Sequence, residues 1–202
     1  MKKIGDIFIL TDCYCRYETA KEVCHELDLG CGKGGFTREL SSKYPERRIL
    51  AADIMIGRLR RLEKRIKATG ISNIALLRID AWNLIGYTLP DESLDRIHIL
   101  CPDPWPKARH KQYRLLSSEF IGRMLRVLKK NGAVHFATDD RNYFESVEKL
   151  FRRNSSYVRE DSLIADIAVI RSDFEKKWES EGTGVTHAAW RRVSGNKQHA
   201  KT

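Results

Sequence analysis

Four aspartates occupy positions where α/β proteins commonly carry out chemistry, at or next to the end of a predicted strand. They are Asp28, Asp53, Asp80 and Asp103, and each lies in or just after a run rich in apolar residues. Parallel strands end at the same edge of a sheet, so we expect the four carboxylates on one rim. Clustered acids repel one another and need donors or a cation to compensate them. The pattern predicts a ligand site at that rim; the alternative is that the acids only cap the following helices.

A glycine-rich turn follows the first predicted strand and reads Gly30-Cys31-Gly32-Lys33-Gly34-Gly35. Glycines in such a turn let the backbone approach a ligand closely. Gly30, Gly32 and Gly35 have the spacing of a dinucleotide-binding turn, whereas Gly30, Gly32 and Gly34 suit a nucleoside cofactor lying over the turn. The motif leaves both alternatives open. A P-loop is excluded because no GxxxxGK(S/T) segment occurs.

Two of the aspartates suit a nucleoside at this turn. Asp53 ends the second predicted strand, where an acid typically binds the ribose hydroxyls of a nucleotide. Asp80 and Ala81 follow the third strand and are expected beside the base.

The stretch from Cys101 to Arg114 combines an acid, an indole and several cations. A proline follows each of Cys101, Asp103 and Trp105, and proline disfavours the helical conformation in the residue before it. We therefore predict that these three residues are extended and present the carboxylate and the indole. The basic residues that follow are Lys107, Arg109, His110, Lys111 and Arg114. The combination predicts a site for a polar base beside a polyanion; the alternative is a proline-rich surface turn.

The overall charge favours an acidic partner. The chain has 202 residues and a formal net charge of +10, and basic residues recur between Arg58 and Lys67, in the stretch after Trp105 and near the end of the chain. Distributed cations of this kind suit phosphate contacts, so nucleic acid is the first expectation. A solvated basic face is the alternative.

The cysteines and the hydropathy pattern bear on the compartment. Five cysteines, an odd number, occur without a CxxC pair or a zinc-finger histidine pair. We expect reduced thiols, no metal site and a cytoplasmic protein. No apolar run of 18 residues occurs, so no membrane span is expected.

Apolar runs alternate with amphipathic segments of helical length. Strands are predicted at 23–29, 49–53, 73–79, 94–100, 133–138, 157–163 and 185–193, and helices at 36–44, 55–69, 114–128, 141–153 and 173–181, with residues 129–132 closing the helix at 114–128. This alternation predicts an α/β fold with a doubly wound, Rossmann-like sheet that is mostly parallel and has an antiparallel edge strand. We assign one domain, with an N-terminal extension (1–22), a core (23–193) and a basic tail (194–202).

Three segments together resemble a known family. They are Gly30-Cys31-Gly32-Lys33-Gly34, the run Pro102-Asp103-Pro104-Trp105-Pro106-Lys107 with Arg109-His110, and Thr138-Asp139, and the segment Ser172-Asp173-Phe174-Glu175 is similar to a further motif. The family is the bacterial tRNA (guanine-N7)-methyltransferases, and the resemblance runs from about residue 25 to 190. Aspartate replaces the usual glutamate at Asp28 and Asp53, serine replaces threonine at Ser172, and cysteine replaces phenylalanine at Cys101.

The resemblance implies a fold, a cofactor and a substrate. The fold is that of class I methyltransferases, the cofactor is S-adenosylmethionine, which leaves as S-adenosylhomocysteine, and the acceptor is the guanine at position 46 of the tRNA variable loop. We also expect no metal and no membrane partner, and either a monomer or a homodimer.

The resemblance also implies roles for single residues. Asp103 is implied as the catalytic acid. The cofactor is implied to contact Asp28, Gly30, Gly32, Gly34, Asp53, Ile54, Asp80, Ala81 and Asp103. The tRNA is implied to contact Lys107, Arg109, His110, Arg114, Asp139, Ser172, Phe174 and Glu175.

Three other functions remain as alternatives. A methyltransferase acting on another RNA, a protein or a small molecule would use the same fold, but the basic surface argues against the last two. An NAD-dependent oxidoreductase would use Gly30, Gly32 and Gly35, but no hydride-transfer constellation accompanies them. A non-catalytic RNA-binding module would not need a rim of acids, because acids repel phosphates.

Overall fold

The computed structural model describes residues 2–10, 15–20, 22–105 and 108–193. Lys107 and the basic tail at 194–202 therefore lie outside the described residues. The described strands are β1 (Lys2–Ile4), β2 (Ile7–Ile9), β3 (His25–Leu29), β4 (Arg48–Asp53), β5 (Ile74–Arg78), β6 (Leu94–Leu100), β7 (Leu128–Thr138), β8 (Tyr157–Arg159) and β9 (Thr186–Arg192).

Helices connect most of these strands. They are α1 (Gly35–Lys43), α2 (Ile56–Thr69), the short α3 (Ala81–Asn83), α4 (Ser118–Val127), α5 (Arg141–Arg152) and α6 (Asp173–Ser180). A π-helical turn continues α3 over Leu84–Thr88, and 3-10 segments cover Ala108–Tyr113 and Asp161–Ile167. Among the described residues, no helix is long and apolar enough to cross a membrane.

The strands form one sheet in the order β1-β2-β5-β4-β3-β6-β7-β9-β8. Strands β2 to β7 pair in parallel, whereas β9 runs antiparallel to both β7 and β8, and β1 runs antiparallel to β2. The predicted doubly wound, mostly parallel sheet with an antiparallel edge is thus confirmed. The chain reverses its direction of winding at β3, which pairs with β4 on one side and β6 on the other. Ligands of such sheets bind at this point, beyond the carboxyl ends of the strands.

Alternate residues of the strands pack against helices on the two faces. In β4, Leu50 and Ala52 belong to the cluster that holds α4 and α5, whereas Ile49 and Ala51 pack with α1 and α2. All five residues of β3 are buried. A strand covered on both faces is fixed in register, so the loops that leave its carboxyl end start from a rigid base.

Two predicted boundaries are wrong near the fourth helix. Helix α4 begins at Ser118 rather than Arg114, because the Ser117 side chain accepts a hydrogen bond from the Phe120 amide (3.2 Å) and caps the helix there. Residues 129–132 do not close this helix. They belong to β7, which begins with Leu128 opposite Leu94 and has a register shift before Ala133 pairs with Arg96; Asn131 there has a positive φ (64°).

The strand predicted at 157–163 is also too long, because β8 ends at Arg159. Asp161 turns the chain into a 3-10 segment, and its carboxylate accepts a hydrogen bond from the Ala189 amide of β9 (3.0 Å). The Asp161 carboxylate thereby accepts a hydrogen bond that the backbone of a longer strand β8 would otherwise accept.

The extension at the N-terminus, left without assigned structure from the sequence, contributes to the sheet. Strand β2 pairs in parallel with β5, and β1 folds back on β2 through a turn at Gly5 and Asp6. Ile7 and Ile9 are buried against α2. These strands cover the edge of β5, which would otherwise expose unpaired backbone groups.

Candidate active site

Two adjoining chambers lie at the carboxyl ends of β3, β4 and β6. The first has a volume of about 280 Å³ and the second about 160 Å³. Both are lined by Gly30, Gly32, Arg58, Leu100 and Phe174. This is the crevice where the sheet reverses its winding, so the predicted rim of the strands coincides with the cavity.

The glycines of the turn have two different tasks. Gly30 has a φ of +83°, and a Cβ added there would meet no atom within 4 Å, so the turn leaves open space on the side of the chambers. Gly34 has a φ of +77°, but a Cβ there would lie 2.3 Å from Leu62 Cδ1. Gly34 therefore allows α1 and α2 to pack closely, and it lines neither chamber.

Asp53 ties the end of β4 to the glycine turn. One carboxylate oxygen, Oδ1, accepts a hydrogen bond from the Met55 amide (2.7 Å). The other, Oδ2, accepts from the Gly32 amide (3.1 Å) and from Arg58 Nη1 (3.4 Å). Asp53 and Ile54 both line the first chamber. The acid holds the turn in shape and retains lone pairs for a ligand.

Asp28 is a buried carboxyl group that lines the second chamber. Its Oδ2 accepts a hydrogen bond from the Thr37 hydroxyl (2.5 Å). Burial raises the pKa of Asp28 to about 7, and the charges of Asp53 and Asp173 act in the same direction, although the Thr37 hydrogen bond opposes them. Such a group is poised to ionise when a cation binds beside it.

Asp80 lies at the end of the next strand but faces the backbone. Its Oδ1 accepts hydrogen bonds from the amides of Trp82 (2.8 Å) and Asn83 (3.2 Å), which caps α3. Asp80 lines neither chamber, whereas Ala81 lines the first. Of the four aspartates, Asp80 therefore behaves as the alternative interpretation expected, as a helix cap.

The loop after β6 presents an acid and an aromatic side chain at the mouth of the first chamber. Asp103 and Trp105 are exposed and line it together with Tyr113. The ring of Trp105 contacts the rings of His110 (5.8 Å between centroids) and Tyr113 (5.4 Å). The extended backbone predicted here is wrong at two positions, because Cys101 and Trp105 have φ values of +50° and +41°. The Cys101 amide still bonds to the Ala137 carbonyl (2.7 Å), so the chain turns sharply as it leaves the sheet.

Arg114 and Arg109, both expected at the tRNA, have different surroundings. The guanidinium of Arg114 donates to the Pro104 carbonyl (2.7 Å) and the Ser146 hydroxyl (3.2 Å), and it lies 4.6 Å from the centre of the Tyr143 ring. Arg114 is half-buried and tethers the loop after β6 to α5. Arg109 is exposed, and its only described hydrogen bond is to His110 (3.2 Å).

The segment that begins α6 forms the wall between the two chambers. Ser172 and Glu175 form a capping box: the Ser172 amide donates to Glu175 Oε2 (2.7 Å), and the Glu175 amide donates to the Ser172 hydroxyl (3.2 Å). Asp173 accepts a hydrogen bond from the Gly35 amide (3.2 Å). Phe174 is half exposed and lines both chambers.

Glu175 and Asp139 lie near the site but differ in burial. Glu175 is 1 % exposed, and its second oxygen lies 2.9 Å from His187 Nε2. Asp139 is exposed after β7. Burial, together with the charges of Glu175 and Asp139, raises the pKa of Cys101 to about 12, so both acids lie near that thiol, which lines the first chamber.

Several residues that line the chambers had no role of their own in the cofactor or guanine site from the sequence, although Arg58 was counted among the cations for phosphate and Asp173 lies in the segment matched to the family. Arg58 lines both chambers, Tyr113 lines the first and Asp173 lines the second. Arg58 could have been found because it follows Asp53 by five residues on a helix that starts at the rim. Nothing in the sequence indicates that Asp173 reaches the Gly35 amide, since the two lie far apart along the chain.

The order of the strands is that of the class I methyltransferase fold. Solved structures with this fold include an rRNA methylase from Streptococcus thermophilus (TM-score 0.55, 14% identity, 86% of this chain and 89% of that chain). Another is an S-adenosylmethionine-dependent O-methyltransferase from Thermotoga maritima (0.58, 13%, 88% and 63%). A third is phosphoethanolamine N-methyltransferase 2 of Haemonchus contortus in complex with S-adenosylmethionine (0.54, 15%, 86% and 49%). At these identities the likeness concerns the fold.

The sequence comparisons define the family. The model of a family described as putative methyltransferase matches residues 21–188, and the chain belongs to this family. A relative from Nitrosococcus oceani is 31% identical over 82% of this chain and 70% of its own length, and one from Neisseria meningitidis serogroup A is 36% identical over 81% and 68%. A third, from Nitrosospira multiformis, is 30% identical over 86% and 75%. All three are named tRNA (guanine-N(7)-)-methyltransferase, so the family predicted from the sequence motifs is confirmed.

Proposed function

We propose that this protein transfers the methyl group of S-adenosylmethionine to N7 of a guanine in tRNA, at position 46 of the variable loop. The observation that carries the proposal is the pairing of two features in one crevice: buried acids beside a glycine turn, and an exposed rim of Asp103, Trp105 and Tyr113. The names of the relatives supply the acceptor base and the class of RNA.

The chambers fit S-adenosylmethionine in shape and charge. Open space above Gly30 would accommodate a ligand against the backbone. Asp28, whose pKa is about 7, would ionise beside a bound ammonium group, and Asp53 would accept hydrogen bonds from ribose hydroxyls. Ile54 and Ala81 would flank the adenine. When bound, this cofactor supplies an electrophilic methyl group on a positively charged sulfur.

The acceptor atom needs alignment more than activation. Guanine N7 carries a free lone pair and loses no proton when it is methylated, so no strong general base is required. Holding N7 in line with the methyl carbon supplies much of the rate by proximity. Asp103 and Asp139, the exposed acids near the first chamber, would accept hydrogen bonds from N1–H and N2–H of the guanine and favour the positive charge that methylation leaves.

The aromatic rim would hold the plane of the base. Trp105 is 37% exposed, Tyr113 58% and Phe174 50%, and all three line the first chamber. Exposed aromatic faces stack with nucleic-acid bases, each contributing roughly 1–3 kcal/mol. His110 contacts Trp105 and Tyr113 and steadies the two rings, whereas the exposed Arg109 is available to a phosphate. Action on tRNA implies work in the cytoplasm.

The decisive experiment maps the methylated nucleotide. The purified protein is incubated with unmodified tRNA and labelled S-adenosylmethionine, and the position of 7-methylguanine is found by chain cleavage at that base. We expect modification at position 46 and none in a tRNA that carries adenine there. Methylation of another RNA position, of protein or of small molecules would contradict the proposal, as would binding of NAD in preference to S-adenosylhomocysteine.

A further inference from the structure

Five titratable residues form a line of three hydrogen bonds and one ion-pair contact across the sheet, which we call the imidazole chain: Glu26, His98, His135, His187 and Glu175. Glu26 Oε2 lies 2.7 Å from His98 Nε2, and His98 Nδ1 lies 3.0 Å from His135 Nδ1. His135 Nε2 lies 2.9 Å from His187 Nδ1, and His187 Nε2 lies 2.9 Å from Glu175 Oε1. The chain runs from β3 through β6, β7 and β9 to α6, and it ends at the wall of the active-site chambers.

The four links fix the number of protons on the rings. Burial alone would raise the pKa of Glu26, but the hydrogen bond from His98 and the charges of Arg96 and Arg47 bring it to about 2. Burial likewise opposes the ionised form of Glu175, but the contacts with His187 and Ser172 lower its pKa overall. Both carboxylates are therefore ionised and accept hydrogen bonds only. Each of the three hydrogen bonds needs one ring proton, and the fourth link needs another because an unprotonated His187 Nε2 would face a carboxylate oxygen at 2.9 Å. Three neutral imidazoles carry three protons, so the complete chain holds one positive charge.

The extra proton belongs at the α6 end. Burial lowers the pKa of His98 and of His135, and the charge of Arg96 adds to the effect on both rings. His187 is the most exposed of the three rings, with 28% of its side chain accessible, and it contacts the Glu175 carboxylate directly. With His98 protonated at Nε2, His135 at Nδ1 and His187 at both nitrogens, every link has one donor and one acceptor.

Other charged and titratable groups surround the chain on all sides. Arg47 and Arg96 each form an ion pair with Glu26, and each also forms an ion pair with Asp166. Asp161 and Arg171 line a cavity with His135 and His187, and Cys101 lies near Glu175. Asp161 is bonded to Arg159, and Arg171 to Glu179. Among the described contacts, the Glu175 carboxylate is thus the direct ionic partner of His187.

The carboxylate that His187 contacts also organises the wall of the site. Glu175 accepts the hydrogen bond that closes the capping box at Ser172, and the next residue, Asp173, receives the Gly35 amide of the cofactor turn. Phe174 projects between these two anchors into both chambers. Loss of the His187–Glu175 link would leave a buried carboxylate with a single described partner and loosen this turn.

We propose that His187 is a positioning residue of the methyl-transfer site, whose imidazolium, completed by the imidazole chain, holds Glu175 and through it the Ser172–Phe174 wall. The inference rests on the proposed function for its role in catalysis. The proton count itself does not depend on that function.

The first test is a count of ring protons by ¹⁵N NMR of the whole protein. We expect four protonated ring nitrogens while the chain is complete and three after the extra proton leaves, with the Ser172 and Gly35 amide signals moving together with that change. In Glu175→Gln the amide group donates to His187 Nε2, so three ring protons complete all four links at every pH. A count of three in the native protein at all pH values, or amide signals that do not follow the titration, would overturn the proposal.

The second test uses kinetics to distinguish a positioning role of His187 from a purely structural role. We expect KM for tRNA to rise about tenfold as the native chain loses its extra proton, the size expected for one lost hydrogen bond to a charged group. His187→Ala should show the high KM at every pH. His187→Lys, whose permanent cation donates to both Glu175 and His135, should restore the low KM and remove its pH dependence. Thr186→Ala, an exposed neighbour on β9, is the matched control and should behave as the native protein.

The outcomes of the two tests distinguish the two proposals. A native protein that methylates no tRNA would refute the proposed function, and the NMR count would still decide the inference about the chain and the wall. An active native protein whose His187 variants all keep the native KM and pH profile would refute the positioning role and leave the function standing.

Discussion

Asp28 illustrates how a single side chain acquires its properties from its place in the fold. The residue lies on a strand that is buried on both faces, and its described partner is the Thr37 hydroxyl. Desolvation is the largest cause of its raised pKa, with Asp53 and Asp173 adding repulsion. A carboxyl group with a pKa of about 7 on a buried strand destabilises the folded protein when it ionises. A bound cation would remove that cost.

We predict that Asp28→Asn changes the pH dependence of folding. The folded pKa is about 7 and the ordinary pKa of an aspartate is 3.8, so between these values the folded state binds the extra proton and the unfolded state does not. Stability of the native protein should therefore fall as pH rises through this window and level off above it. The variant should lack this decline and gain up to about 4 kcal/mol relative to the native protein by pH 8. Urea unfolding at pH 5 and pH 8 measures the difference, and parallel changes in both proteins would contradict it.

Asp103 is the residue for which the proposed function makes the sharpest demand. It is exposed at the chamber mouth, so its removal should leave the free energy of unfolding within about 0.5 kcal/mol of the native value. Asp103→Ala should lower kcat for tRNA methylation at least about 100-fold, because the guanine loses its alignment. Asp91→Ala, an exposed aspartate paired with Arg126 away from the chambers, serves as the control. Full activity in Asp103→Ala would refute the role of this acid.

At the scale of elements, the connection from β6 to α4 decides how the site is presented. Its first residues leave the sheet through positive φ angles, and a 3-10 segment follows at Ala108–Tyr113 before α4 begins. Arg114 binds this connection to α5 by way of Pro104 and Ser146. The guanidinium of Arg114 therefore fixes this connection, in addition to the restriction that the prolines place on its backbone.

Two arginines in this connection should respond differently to replacement. Arg114→Ala should lower the free energy of unfolding by about 1–2 kcal/mol and reduce kcat, since the loop loses its tether, with little effect on the salt dependence of tRNA binding. Arg109→Ala should leave stability unchanged and reduce the slope of log affinity against log salt concentration by about one. Thermal unfolding and binding at several salt concentrations measure both. Equal effects of the two variants on the salt slope would show that Arg114 also contacts phosphate.

For the whole molecule, the distribution of charge follows the proposed division between cofactor and RNA. Asp28 and Asp53 are buried in the crevice, whereas exposed cations lie along α2, whose Arg58 lines both chambers. The net charge of +10 favours association with a polyanion, and burial shields Asp28 and Asp53 from that polyanion. A cationic outer face and an acidic interior together suit an RNA substrate and a cationic cofactor.

Reversal of charge on α2 tests this division. We predict that Arg61→Glu with Lys64→Glu, both exposed, weakens tRNA binding about tenfold or more at low salt through lost attraction. Affinity for S-adenosylhomocysteine should stay unchanged, because neither side chain lines a chamber. Filter binding and calorimetry provide the two measurements. Unchanged tRNA affinity would place the RNA on another face.

The sequence by itself determined the order of the long helices and of the strands from β3 onward, the glycine turn and the motif after β6, because periodicity and motif spacing are local properties of the chain. It also fixed the family, and it brought Asp28, Asp53 and Asp103 to one crevice, since parallel strands must end at one edge. Only the tertiary structure decided that Asp80 caps a helix, that Gly34 serves packing and that Arg114 anchors a loop. The imidazole chain could not be predicted from the sequence either, because its members are separated along the chain and meet only through strand register. The stretch after β6 carries the identifying motif, but tertiary contacts determine how its acid and its indole are presented.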